Sequence, residues 1–202
     1  RAYRPAVLSF LRARCRNRDL AEDLTQGFFS RFLEYRYHEI ADPARGRFRV
    51  FLGTALRNFL VNHGDHDHAA KRGGGSVAVE FEEESLHADS RESPERTFDL
   101  AWALTVLDRA MAALEAEAAA SGKAALFARL REFLTEVPEA EDYARAAADL
   151  DLRQNTVAVS VHRLRERLRD QVRAQLADTV ADPAEVDDEL RALRAVLGAV
   201  GT

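Results

Sequence analysis

Residues 143–169 read YARAAADLDLRQNTVAVSVHRLRERLR, and this stretch decides the fold. Ala147, Leu150, Leu152, Val157, Val161 and Leu164 fall where two helices crossing through a tight turn need their core. The pattern supplies a small residue at the crossing, an apolar pair at the turn and a stripe along the second helix. That spacing predicts a helix-turn-helix. Asp151 stands at the turn, a position that often has positive φ; Asp accepts it less well than Gly and better than most residues. Outside the stripe the second helix carries Gln154, Asn155, Thr156, Ala158, Val159, Ser160, His162, Arg163 and Arg165. Its polar first turn suits base edges in a major groove, and its arginines can reach phosphates. An ordinary helical hairpin with a charged face would show the same stripe, so the segment alone leaves both readings open.

Working outward, every other apolar pattern is also helical. Val7, Leu8 and Leu11 form a short stripe, Leu20, Leu24, Phe28 and Phe32 or Leu33 a second, and Phe48, Phe51, Leu52, Ala55, Leu56, Phe59 and Leu60 a third. Asp42-Pro43 supplies a cap and first-turn pair ahead of the third. Leu100, Leu104, Leu107, Met111 and Leu114 repeat the spacing, followed by Leu126, Leu130, Phe133 and Leu134. Asp182-Pro183 opens one more amphipathic helix through Glu185, Val186, Glu189, Leu190, Leu193 and Val196-Leu197. No stretch alternates as a strand does. Lys71-Arg72-Gly73-Gly74-Gly75-Ser76 lacks the spacing of a phosphate-binding loop and reads as the start of a flexible linker, which the acidic run Glu80 to Glu84 extends. The expectation is an all-α chain of two small helical domains, 1–72 and 97–176, joined by an acidic linker, 73–96, and followed by a helical extension, 177–202.

The 202 residues carry a formal net charge of −5, which taken whole argues against a nucleic-acid partner. Residues 1–76, however, hold 14 basic against 8 acidic side chains, and 143–176 hold 7 against 4. Two positive segments thus sit among negative ones, an asymmetry that invites a two-module reading. One cysteine, Cys15, excludes an intrachain disulfide and a thiolate cluster, and its expected state is half-buried and inert despite flanking Arg14 and Arg16. No apolar run approaches the roughly 20 residues of a membrane span and no signal pattern opens the chain, so a cytoplasmic protein is expected. Arg1 in place of Met leads us to expect that residues precede it.

Asp19-Leu20-Ala21-Glu22-Asp23-Leu24-Thr25-Gln26-Gly27-Phe28-Phe29, the basic helix 48–63 (FRVFLGTALRNFLVNH), the linker and the terminal VHRLRERLRD come in the order seen in bacterial RNA polymerase sigma factors. The chain resembles the extracytoplasmic-function (ECF) type of that family, with a C-terminal extension. The resemblance implies that Asp19, Glu22, Asp23 and Gln26 dock on core RNA polymerase; Glu22, Asp23 and Gln26 share a face opposite Leu20 and Leu24. It implies that Arg45, Arg47, Arg49 and Arg57 contact phosphates, and that Asn58, Asn62 and His63 contact bases of the opened −10 promoter element. The chain departs from the family at Asn62, where most relatives carry Asp, and over 64–68, which are less basic. The second helix of the helix-turn-helix would read the −35 element. Partners implied are core RNA polymerase, promoter DNA and an anti-sigma factor or other regulator, with no membrane.

The expected function is transcription initiation with no catalytic residue, cofactor or metal. The alternative is a dimeric helix-turn-helix regulator that never enters the polymerase. An enzyme is disfavoured because no nucleophile set, phosphate loop or paired-carboxylate site emerges. His63, His66 and His68 with Asp65 and Asp67 are metal-competent, but their spacing fits no familiar ligand template and Gly64 is expected to interrupt the helix.

Overall fold

A computed structural model describes residues 3–15, 17–35, 47–71, 93–180 and 182–199, the side chains of 64–71 excepted. The Asp42-Pro43 turn, Arg45, the linker residues 72–92 and the side chains of Asp65, His66, Asp67 and His68 lie outside the described residues. Among those described, every regular element is helical. They are α1 (Arg4–Arg14), α2 (Arg18–Glu34), α3 (Phe48–Lys71), α4 (Pro94–Ala120), α5 (Ala124–Leu130), α6 (Ala140–Asp149), α7 (Gln154–Ala177) and α8 (Val186–Gly198), with short 3-10 turns at Arg131–Leu134 and Pro183–Glu185.

The chain forms two compact units, Arg1–Thr105 with Thr179–Thr202, and Val106–Asp178. The contact boundary thus falls inside α4, and the C-terminal extension belongs to the same unit as α1, α2 and α3.

In the first unit, Pro5 starts α1, where its missing N–H costs nothing. The Asn17 side chain caps α2 by accepting from the Asp19 and Leu20 N–H groups. Val7, Leu11, Leu24, Phe28, Leu52, Leu56 and Phe59 are buried, as the three stripes predict, and Phe28 meets Phe59 edge-on with ring centroids 5.5 Å apart. Of the Phe32/Leu33 pair, Phe32 turns inward and Leu33 is 63% exposed. Trp102 is fully enclosed, stacked on Tyr3 at 4.3 Å and flanked by Phe48 and Phe98.

Two expectations need correction here. Helix α3 runs unbroken through Gly64 to Lys71; a mid-helix glycine costs about 1 kcal/mol relative to Ala, too little to end a 24-residue helix. The leucine stripe of α4 is only partly its buried row: Leu114 is buried and Leu107 and Met111 pack against its cluster. Leu104 is 45% exposed, whereas Phe98, Trp102, Val106, Ala110, Leu114 and Ala118 are buried at strict four-residue spacing. This helix is apolar on nearly every side, and the row that carries both the largest ring and the smallest residues packs most closely.

The second unit closes around two clusters. One joins Ala110, Leu114 and Ala118 of α4 to Phe127 and Leu168. The other joins Leu130 and Phe133 to Ala146, Ala147, Val157 and Val161. Helix α4 ends at Gly122, whose φ of +72° lets the Lys123 N–H reach back to the Ala118 carbonyl. Helix α6 ends the same way without a glycine. Asp151 has φ +52°, its N–H donates to the Ala148 carbonyl, and the Leu152 N–H donates to Ala147 O at 2.9 Å. The left-handed turn expected at Asp151 is therefore present. Leu152, expected in the core, is 39% exposed; it follows the left-handed residue, where its backbone closes the helix end and its side chain stays at the rim.

Candidate nucleic-acid interface

In the first unit, helices α2 and α3 frame a pocket of about 190 Å³ lined by Phe28, Arg31, Phe32, Tyr35, Phe51, Thr54, Ala55, Asn58, Phe59 and Asn62. Asn58 and Asn62 are one turn apart and exposed, so both amides stand on the same rim of an aromatic-walled cavity. The Arg31 guanidinium lies over the Tyr35 ring at 5.7 Å. His63 lies nearly parallel to Phe59, with centroids 5.8 Å apart. Aromatic faces beside amide donors and acceptors are what an unstacked base needs: stacking from the rings and edge hydrogen bonds from the amides. Arg57 is exposed one residue before Asn58, its Nε 3.4 Å from the Gly53 carbonyl.

Sequence reasoning found Asn58 and Asn62 but missed Arg31, Tyr35 and Thr54. Arg31 and Tyr35 sit at the far end of a different helix, and their only sequence signal is a cation and an aromatic four residues apart.

Two further arginines of the proposed −10 set, Arg47 and Arg49, are engaged within the protein. Arg47 donates to Glu189 and Asp188, each at 3.1 Å, and Arg49 donates to Glu189 from Nε at 3.0 Å and to Asp99. Burial disfavours the charge on Arg49, but the hydrogen bonds and charges of Glu189 and Asp99 outweigh it and hold the guanidinium above its ordinary value.

On α2, Asp19, Asp23 and Gln26 are exposed. Glu22, half-buried, receives Arg4 and, at 2.9 Å, Arg12. Asp19, Asp23 and Gln26 thus stay exposed on α2, while Glu22 ties α2 to α1.

In the second unit, Asn155, Thr156, Ala158, Val159, His162 and Arg163 are exposed along α7. Gln154 is exposed too, with its amide donating to the Ala140 carbonyl at 3.2 Å, and His162 lies 3.4 Å from Glu166. Ser160 is half-buried and donates to the Thr156 carbonyl at 2.8 Å. Arg165 differs from the rest of its set: Nε donates to Phe133 O at 2.9 Å, and Nη2 donates to Phe133 O at 2.6 Å and Glu136 O at 3.0 Å. Beside Ser160 and Arg163 opens a groove of about 680 Å³ whose walls include Lys123, Arg167, Arg169 and Arg173.

Cys15 is buried, and removal from water raises its thiol pKa, with Arg14 partly opposing. Reaction with Ellman's reagent at pH 8 is expected to run at least about tenfold slower in the native protein than in denaturant, because the thiolate is the nucleophile. Equal rates would show an accessible thiol.

Among the described residues no helix is long and apolar enough to cross a membrane. Residues 1–64 match the family model of Sigma-70 region 2. No curated protein and no solved structure matches the chain. The match covers residues 1–64, about a third of the chain, and likens that segment to region 2 of sigma-70 proteins.

Proposed function

We propose that this chain is a transcription initiation factor of the ECF type, with no chemistry of its own, working in the cytoplasm. Its first unit docks on core RNA polymerase through Asp19, Asp23 and Gln26 and takes an unstacked base of the −10 element into the pocket of Arg31, Tyr35, Asn58 and Asn62. Helix α7, the second helix of a helix-turn-helix, reads the −35 element through Asn155, Thr156, Val159 and Arg163. The observation that carries this reading is the coincidence of the region 2 match with an aromatic and amide pocket on that same segment. Specificity then comes from two modest contacts whose effective concentration is set by their attachment to one polymerase.

The test is in vitro transcription with purified core polymerase on a library of genomic promoter fragments. Initiation at a defined subset of fragments, dependent on this protein, is the expected result; core polymerase that initiates identically without it sinks the proposal. In a pull-down on core polymerase, Asp23→Lys is expected to reduce retention at least about tenfold, since it reverses an exposed charge on the docking face. Unchanged retention, together with a stable dimer on operator DNA, would favour a dimeric regulator.

A further inference from the structure

The extension that follows α7 returns to the first unit and covers the start of α3. Thr179 O accepts the N–H of Phe48, the first residue of α3, at 2.9 Å. Glu189, on α8, is only 1% exposed, and both its oxygens are used: Oε1 accepts from Arg47 at 3.1 Å and from Arg49 at 3.2 Å, and Oε2 accepts from Arg49 at 3.0 Å. Asp188 accepts the other arm of Arg47. The tail therefore presents to a helix N-terminus and two guanidinium groups a set of anionic and carbonyl oxygens, the chemistry a phosphodiester would present there.

We propose that α8 is a built-in competitor for nucleic-acid phosphate, an autoinhibitory latch that single-stranded promoter DNA displaces from Arg47 and Arg49. This rests on the reading that α3 binds opened DNA. Three physical points favour exchange over a permanent brace. A buried ion pair is close to break-even against solvation, so replacing carboxylates with phosphates costs little. The 13-residue α8 is below the length that stands alone in water, so once off its seat it has no folded state to hold it near. Its apolar anchorage is small: Val186 and Leu193 are buried, whereas Leu190, Val196 and Leu197 are only half-buried.

The experiment measures binding of a fluorescein-labelled mixed-sequence single-stranded 20-mer, by anisotropy over a range of salt. It compares the full chain, a chain ending at Asp178, and full-length Asp188→Asn/Glu189→Gln. Both altered chains are expected to bind at least about fivefold tighter. The slope of log K against log salt is expected to steepen by about 0.7 to 1.4, one phosphate at Arg47 and a second where phosphate also takes Arg49, which keeps Asp99 as a partner once the tail is gone. Arg47→Ala/Arg49→Ala in the shortened chain is expected to remove the gain. Circular dichroism and the emission of Trp102, the sole tryptophan, report whether each chain is folded. Equal affinity and slope in folded chains overturn the latch, as does a gain that survives loss of both arginines. Unfolding of both altered chains also overturns it, because the tail is then a brace. Absence of binding by every chain, alone and with core polymerase, overturns the DNA reading itself.

Discussion

Replacing Trp102 with Ala is expected to cost the first unit about 3–5 kcal/mol, the range for truncating a fully enclosed aromatic ring. The ring is wholly inaccessible and stacks face to face on Tyr3 with an 8° interplanar angle, while Phe48 and Phe98 flank it at 6.1 and 6.2 Å. Those neighbours belong to three separate stretches of chain, so collapse around the void would have to move all three together, which keeps the cost at the upper end. Trp102→Phe should be far milder, about 1.5 kcal/mol or less. The indole Nε1 is buried with no hydrogen-bond partner among the described residues; its removal relieves an unmet donor and offsets part of the lost contact. Urea unfolding followed by circular dichroism checks both. An Ala variant whose midpoint stays within about 0.3 M of the parent would contradict the packing described here, since such a shift is under about 1 kcal/mol.

That tryptophan also shows what periodicity can and cannot deliver. Helix α4 was legible as a helix because its apolar residues recur at three and four, yet the residues that recur admit two rows. The leucine row and the row through Phe98, Trp102 and Val106 meet at Leu114 and diverge toward the start of the helix, and with apolar residues on several sides no local property chooses between them there. The turn at Asp151 was legible for the opposite reason. A helix that must stop within four residues of the next one needs a left-handed residue at its end, and that demand is local.

The pocket was half legible. Asn58 and Asn62 stand out as polar residues on a strongly apolar helix, but Arg31 and Tyr35 complete the cavity from α2, and nothing in the spacing brings those residues to the same wall. Glu189 was readable as part of an amphipathic tail, not as the buried partner of Arg47 and Arg49, which lie 142 and 140 residues away. Arginines near a helix start look like phosphate ligands whether or not a carboxylate from elsewhere already holds them.

Arg163 and Arg165 sit two residues apart on α7 and are expected to fail in opposite ways when truncated. Arg165→Ala removes three N–H···O bonds to the carbonyls of Phe133, in the 3-10 turn, and Glu136, just after it, and with them the guanidinium that caps this end of the turn. A hydrogen bond from a charged donor is worth about 1.5–3 kcal/mol, and two carbonyls share this guanidinium, so a loss of about 2–3 kcal/mol in the second unit is expected. Any loss of duplex binding then follows the unfolded fraction and is recovered on cooling. Arg163→Ala leaves stability within about 0.5 kcal/mol, because its side chain is exposed. Its effect is on duplex DNA: weaker binding at low salt and a salt slope shallower by about 0.9, the value of one phosphate contact on B-form DNA. Thermal melts beside anisotropy titrations on duplex DNA separate the two. If Arg165→Ala melts like the parent while its salt slope falls by one contact, Arg165 belongs to the reading surface after all, and the 3-10 turn must be held by the apolar contacts of Leu130 and Phe133 alone.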